Sequence, residues 1–322
     1  MKVVSLLCPL GLILVLVAAR QEGGSPIERL VLNKEVYTEG ASFGDVNGDG
    51  LDDVYIGSAS GKVSKLLIQN VQGELIESDS KTWNPHKVLE DIDAIFIDID
   101  NDGDNDLYVV SGGNEFSPNS STYLDRIYIN DGKGNFEFKR NLLPDVYESG
   151  SVVRPYDFDN DGDKDLYVVS GSNEHDLNST LQLDRLYKND GKGNFTKTSG
   201  ILPSVYASGS CVKASDIDND GDLDLFIGGF QTPGNYPQPG ESQLLINNNG
   251  VFKNEIVSRT DNMSSIGMVK DAVFTDINND KQQDLVIVGH WMAIEIYINN
   301  NGAFTNQSKA YGTDNNIGWW NT

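Results

Sequence analysis

Five copies of one acidic nonapeptide punctuate this chain of 322 residues, at Asp45–Asp53, Asp98–Asp106, Asp157–Asp165, Asp216–Asp224 and Asp276–Asp284. The second reads Asp-Ile-Asp-Asn-Asp-Gly-Asp-Asn-Asp, and the others match it closely. Carboxylates packed this densely repel one another unless a cation sits among them. The alternating spacing turns alternate side chains toward one point. A hard ion such as calcium takes about six to eight oxygen ligands, supplied in tight loops by side chains at positions 1, 3 and 5, a carbonyl at 7 and a further carboxylate. The expected calcium ligands are therefore Asp45, Asn47, Asp49, Leu51 and Asp53 in the first loop, and Asp98, Asp100, Asp102, Asp104 and Asp106 in the second. The third supplies Asp157, Asp159, Asp161, Asp163 and Asp165, and the fourth Asp216, Asp218, Asp220, Asp222 and Asp224. The fifth supplies Asp276, Asn278, Asp280, Gln282 and Asp284. Glycine at position 6 eases the turn in the first four loops. Lys281 stands there in the fifth, which makes it the poorest of the five sites.

The residues after each loop decide between calcium folds. An EF-hand needs a bidentate Glu at position 12 and flanking helices, but that position is Ile56, Val109, Val168, Ile227 or Ile287. The same absence argues against a dockerin. Each loop leads instead into a β-rich run: Val54-Tyr-Ile-Gly57, Leu107-Tyr-Val-Val110, Leu166-Tyr-Val-Val169, Leu225-Phe-Ile-Gly228 and Leu285-Val-Ile-Val288. These runs read as buried strands. The loops start at residues 45, 98, 157, 216 and 276, a repeat of 53 to 60 residues. That length suits one four-stranded propeller blade with generous loops. An all-β chain is predicted: a β-propeller of four-stranded antiparallel blades, five of them over residues 41–317.

The pattern hydrophobic-x-Asp-x-Asp-x-Asp-Gly-x-x-Asp-hydrophobic resembles the FG-GAP or VCBS repeat, the blade of the integrin α-subunit N-terminal propeller and of many bacterial secreted proteins. More narrowly, Ser111-Gly-Gly-Asn-Glu-Phe116, Gly267-Met268, Gly289-His-Trp-Met292 and Gly318-Trp-Trp-Asn321 look like bacterial VCBS-repeat proteins of the cartilage-acidic-protein (ASPIC/UnbV) type. The resemblance implies a ring of seven or so blades, so five blades are expected to be part of a truncated ring. Residues 318–322 then read as the start of a further blade.

Met1-Lys2 and the apolar run Val3 to Ala19 resemble a secretory signal peptide over 1–20, with a lead-in over 21–40 after it. No stable membrane span is expected after cleavage, which points to a secreted, periplasmic or cell-surface protein. Only Cys211 would remain, so calcium would take the cross-linking role that disulfides play in many secreted domains. A net charge of −24 and the lack of any basic stripe argue against nucleic acid as a partner.

In a four-stranded blade the metal loop lies at one end and the connection between the second and third strands at the other. The second end is the expected surface for a protein or glycan ligand, with Asn114, Glu115, Tyr123, Asn173, Glu174, His175, Tyr236 and Trp291 as candidate contacts. No nucleophile elbow, zinc spacing or phosphate loop is present. The expectation is therefore a recognition, adhesion or scaffold module and not an enzyme. The alternative is a calcium-dependent polysaccharide lyase or glycosidase of propeller fold.

Overall fold

The computed structural model describes residues 40–113, 116–117, 120–171 and 179–321. The signal-peptide reading over 1–20 lies outside the described residues, as does the lead-in up to residue 39. The described residues form two compact units, divided between Val146 and Tyr147. The first unit holds two four-stranded sheets: β1 (Ala41–Gly44), β2 (Asp53–Ile56), β3 (Lys65–Gln69) and β4 (Leu75–Glu77), then β5 (Asp91–Ile97), β6 (Asp106–Ser111), β7 (Arg126–Ile129) and β8 (Glu137–Phe138).

The second unit holds three. They are β9 (Gly150–Tyr156), β10 (Asp165–Ser170), β11 (Arg185–Asn189) and β12 (Phe195–Lys197), then β13 (Ser208–Ser215), β14 (Asp224–Gln231), β15 (Gln243–Asn248) and β16 (Val251–Asn254). The last is β17 (Met268–Thr275), β18 (Asp284–Met292), β19 (Glu295–Asn300) and β20 (Ala303–Asn306), with β21 (Gly318–Trp319) added on β18. Each sheet is an antiparallel meander, so the fold is all-β with five propeller-type blades. Residues 318–319, expected as the lead-in to another blade, pair with His290 and Met292 of the fifth.

The second strand of each blade explains its unbroken apolar sequence. In the second unit, Leu225 and Ile227 of β14 pack with Tyr167 and Val169 of the blade before. Phe226, between them, packs with Val269, Leu285 and Ile287 of the blade after. Period-2 alternation thus feeds two cores instead of one core and solvent, and every position is apolar. Each fully buried side chain of this size contributes roughly 1.5–3 kcal/mol. Blades approach closely enough that a Cβ on Gly228 would lie 2.4 Å from Val269 Cγ1.

One polar joint recurs in all five blades. The last Asp of each acidic loop is buried, and its two oxygens accept from two backbone N–H groups: position 2 of its own loop and the end of the third strand. The acceptors and donors are Asp53 with Val46 and Gln69, Asp106 with Ile99 and Asn130, Asp165 with Phe158 and Asn189, Asp224 with Ile217 and Asn247, and Asp284 with Ile277 and Asn299, all at 2.8–3.2 Å. The Asn at the third-strand end then reaches the preceding blade of its unit. Asn130 Nδ2 donates to Val46 O (2.8 Å), Asn247 Nδ2 to Phe158 O (3.2 Å) and Asn299 Nδ2 to Ile217 O (2.9 Å). The carboxylate closes the blade and the amide links it to its neighbour.

Asp284 allows this joint to be tested apart from metal, because it belongs to the loop with the poorest cation site. Asp284→Ala leaves the buried Asn299 N–H and the half-buried Ile277 N–H without acceptors and is expected to lose about 2–4 kcal/mol in denaturant unfolding with EDTA present. Exposed Asp314→Ala is expected to change stability by less than about 0.5 kcal/mol.

Candidate metal centres

Each acidic loop folds on its own first carboxylate. Asp157 Oδ1 accepts from Asp161 N (3.1 Å) and its Oδ2 from Gly162 N (3.0 Å), while Asp161 Oδ1 accepts from Asp163 N (3.1 Å). The fourth loop repeats this with Asp216 and Asp220. Such Asx turns require a left-handed residue at position 4, where Asn101, Asn160, Asn219 and Asn279 have φ of 58–62°. Position 6 is left-handed too, and Lys281 at φ 72° carries a Cβ where the other loops have glycine.

The backbone so arranged gathers carboxylates in three loops. Ligand oxygens of Asp98, Asp100 and Asp106, of Asp157, Asp159 and Asp165, and of Asp216, Asp218 and Asp224 each lie within 4.8 Å of one another. Two oxygens bound to one calcium at about 2.3–2.6 Å can be no more than about 5 Å apart, so the spacing fits a shared ion. The oxygens also want a partner. Asp98 Oδ1, Asp100 Oδ1, Asp104 Oδ1 and Asp218 Oδ1 are buried and accept no hydrogen bond. An all-oxygen, carboxylate-rich set matches a hard divalent cation.

The expected ligand set is thus brought together at positions 1, 3 and 9 in the middle three loops. The position-5 carboxylates Asp102, Asp161 and Asp220 lie outside these triads and accept from position-7 backbone N–H groups. In the first loop Asn47 replaces the position-3 acid, leaving Asp45 and Asp53 as carboxylates at triad positions. The fifth loop satisfies itself, since Asn278 Nδ2 (2.9 Å) and Gln282 Nε2 (3.4 Å) both donate to Asp280 Oδ2. Sequence spacing did not reveal two cations that lean on the loops. Lys188 pairs with Asp159 and, at 3.3 Å, with Asp161, and Arg259 of the one-turn helix α1 (Ile256–Arg259) pairs with Asp218 at 3.2 Å.

Burial governs the protonation of the joint carboxylates. Desolvation pushes Asp106 and Asp224 up to about 7 and Asp165 to about 6, against the opposing pull of their backbone hydrogen bonds. It raises Asp53 as well.

The opposite ends of the blades carry their own polar joints. Tyr108 donates to Asp125 (2.7 Å) and Tyr167 to Asp184 (2.9 Å), and burial lifts the Asp184 carboxyl to about 6. In the first unit Arg126 pairs with Asp91, both buried. Asp91 also accepts from Tyr55 Oη (3.0 Å), Ser58 N (3.1 Å) and Ser64 Oγ (2.5 Å). This network ties β5 to the first blade and commits Asp91 to structure.

Of the candidate ligand contacts, Tyr123 is corrected by its environment. It is 1% exposed, and its hydroxyl donates to Phe116 O (2.7 Å), so it fastens its own loop. Tyr236 and Trp291 are half exposed and come together, ring centroids 6.0 Å apart. Asn114, Glu115, Asn173, Glu174 and His175 lie outside the described residues.

Family comparison agrees with this geometry. The FG-GAP-like repeat matches over residues 45–109, 98–168 and 157–227, which together span more than half of the chain. The chain belongs to the FG-GAP repeat family. The match is to that repeat and does not extend to the narrower cartilage-acidic-protein type. No curated protein matches. Among solved structures, this FG-GAP chain is similar to a protein from Lactobacillus plantarum at 12% identity and a TM-score of 0.50, covering 79% of this chain and 66% of that one. It is also similar to the Vibrio cholerae biofilm matrix protein Bap1 (16%, TM-score 0.42, 84% and 40% covered) and to the Pseudomonas aeruginosa periplasmic gluconolactonase PpgL (9%, 0.48, 91% and 90%). The FG-GAP chain thus spans just under two thirds of the first and two fifths of the second.

The raised carboxylates set a pH dependence for the cation-free protein. A carboxyl with a raised folded value binds more protons folded than unfolded, so its stabilising contribution is full below about 3.8 and is lost as pH rises through 6 to 7. In EDTA the melting temperature at pH 7.5 is expected to fall below that at pH 5.5. Millimolar calcium is expected to reverse the order, because a bound cation favours the ionised form.

Proposed function

We propose that this chain works outside the cytoplasm as a calcium-stabilised recognition module. The metal loops hold the scaffold, and the opposite blade ends present an adhesive or scaffolding surface to a protein or glycan. The observation that carries the calcium reading is the set of three aspartate triads, two of which include buried oxygens with no hydrogen-bond partner, Asp98 Oδ1 and Asp100 Oδ1 in one and Asp218 Oδ1 in the other. Asp98, Asp100 and Asp106 and their counterparts would hold the ion. Its chemistry there is charge neutralisation and cross-linking of the loop.

Compartment follows from affinity. Extracellular calcium modules bind with constants of about 0.1–1 mM. A millimolar exterior fills such sites and a cytosol does not, which agrees with the secretory-type amino terminus. No helix among the described residues is long and apolar enough to cross a membrane. A chain of net charge −24 repels phosphate backbones, and the partner is not nucleic acid.

A binding role is favoured over catalysis by where the acids and imidazoles are spent. Asp91 is held by Arg126, Tyr55 and Ser64, His86 Nδ1 pairs with Tyr128 Oη (2.8 Å), and His290 Nε2 with Asn321 Oδ1 (3.0 Å). The loop aspartates are committed to turns, joints and cation.

Thermal melts in EDTA, calcium and magnesium test the scaffold role. Three ions, each at tenfold its dissociation constant, stabilise by about 4 kcal/mol in total. The melting temperature is then expected to rise by about 10 °C in calcium, and by much less in magnesium, which demands stricter octahedral geometry. Equal melts in EDTA and calcium would end this reading.

A further inference from the structure

Two aromatic rings of the fifth blade and Tyr236, from the β14–β15 connection of the fourth, stand together and are left in water. Trp291 is 51% exposed, Trp319 43% and Tyr236 49%. Trp291–Trp319 centroids lie 5.0 Å apart at 90°, and Tyr236–Trp291 at 6.0 Å. Single exposed apolar residues are ordinary, whereas a contiguous patch of large rings marks a binding surface.

The backbone presents these rings deliberately. β18 bulges between His290 and Met292, which pair with Trp319 and Gly318 of β21, and Trp291 is the extra residue. Bulges re-aim a side chain. Trp291 accordingly sits at φ 54°, in the left-handed region that a bulky residue avoids. Trp320 holds β21 in place, its N donating to Gly289 O (3.1 Å) and its Nε1 to Met292 O (3.2 Å). The His290 imidazole stacks on Trp319 at 4.0 Å and 27°. Rings fixed in this way lose little conformational freedom when a ligand arrives.

The arrangement narrows the ligand. Two indoles in edge-to-face contact leave no box between them for a quaternary ammonium, so a cation cage is excluded. What remains is apolar ring surface beside hydrogen-bonding groups, the Tyr236 hydroxyl and the Asn321 amide, whose Oδ1 is held by His290 Nε2. A pyranose has the matching duality, with a C–H face that stacks on an aromatic ring and equatorial hydroxyls around its edge. The chain's charge of −24 disfavours polyanionic polymers. We propose that Trp291, Trp319 and Tyr236 form a platform for an uncharged pyranose unit of a polysaccharide. The proposal rests on the recognition reading above and names its ligand class.

Trp fluorescence of the calcium-loaded full chain, titrated with cello-, laminari-, manno- and chitohexaose and with oligogalacturonate, tests it. At least one neutral hexaose is expected to change the emission saturably. Trp291→Ala and Trp319→Ala are each expected to weaken that binding about tenfold or more. Trp291→Phe, which keeps a ring, should recover part of it, with melting temperatures unchanged. No response to any neutral hexaose, undiminished binding by both alanine variants, or preference for oligogalacturonate overturns the proposal. So does self-association that Trp291→Ala abolishes, which would give the platform to a second copy. A calcium-stabilised chain that binds no sugar removes the platform and leaves the scaffold reading. Sugar binding by a chain whose melt ignores calcium does the reverse.

Discussion

The joint made by the last aspartate of each acidic loop is the contact on which this architecture depends. Asp53, Asp106, Asp165, Asp224 and Asp284 each sit beneath their loop with both oxygens on backbone N–H groups. A carboxylate removed from water is costly unless it is paired. Four strands in register supply two donors at a fixed place, and the burial in turn fixes where the loop stands. The other aspartates of the loop inherit their positions from it.

This dependence gives the cation a specific role. In the second loop, the joint residue, Asp98 and Asp100 lie close together with oxygens left over, so the fold creates a charge problem that a bound ion would resolve. The third and fourth loops temper the problem with Lys188 and Arg259, and the fifth with the amides of Asn278 and Gln282. The blades are thus graded in their need for metal while sharing one joint.

The repeat was readable in the chain because both of its physical requirements are local: oxygens at alternate positions and an unbroken apolar strand after them. The run Leu166-Tyr-Val-Val169, expected as a buried strand, lies within the observed Asp165–Ser170. What escaped was long-range. The double use of Asp106 as ligand candidate and joint depends on Asn130, just past the end of the blade's third strand. The Arg126–Asp91 pair joins the first and third strands of one blade, and the bonds of Asp91 to Tyr55 and Ser64 need the first blade beside it. Tyr123 carried no signal of burial, since a tyrosine in a polar loop reads as exposed until its hydroxyl is seen on Phe116 O. Trp319 was visible in Gly318-Trp-Trp-Asn321, but its partnership with Trp291 required β21 to turn back onto β18.

On the proposed reading, three loops each hold one calcium ion on a triad built around the joint aspartate. Equilibrium dialysis of calcium against the full chain counts those ions directly. At least three ions are expected, with one lost in each of Asp100→Asn, Asp159→Asn and Asp218→Asn, because these position-3 groups belong to the triads and not to the joint. Fewer than three ions, or a count indifferent to these substitutions, would contradict that reading.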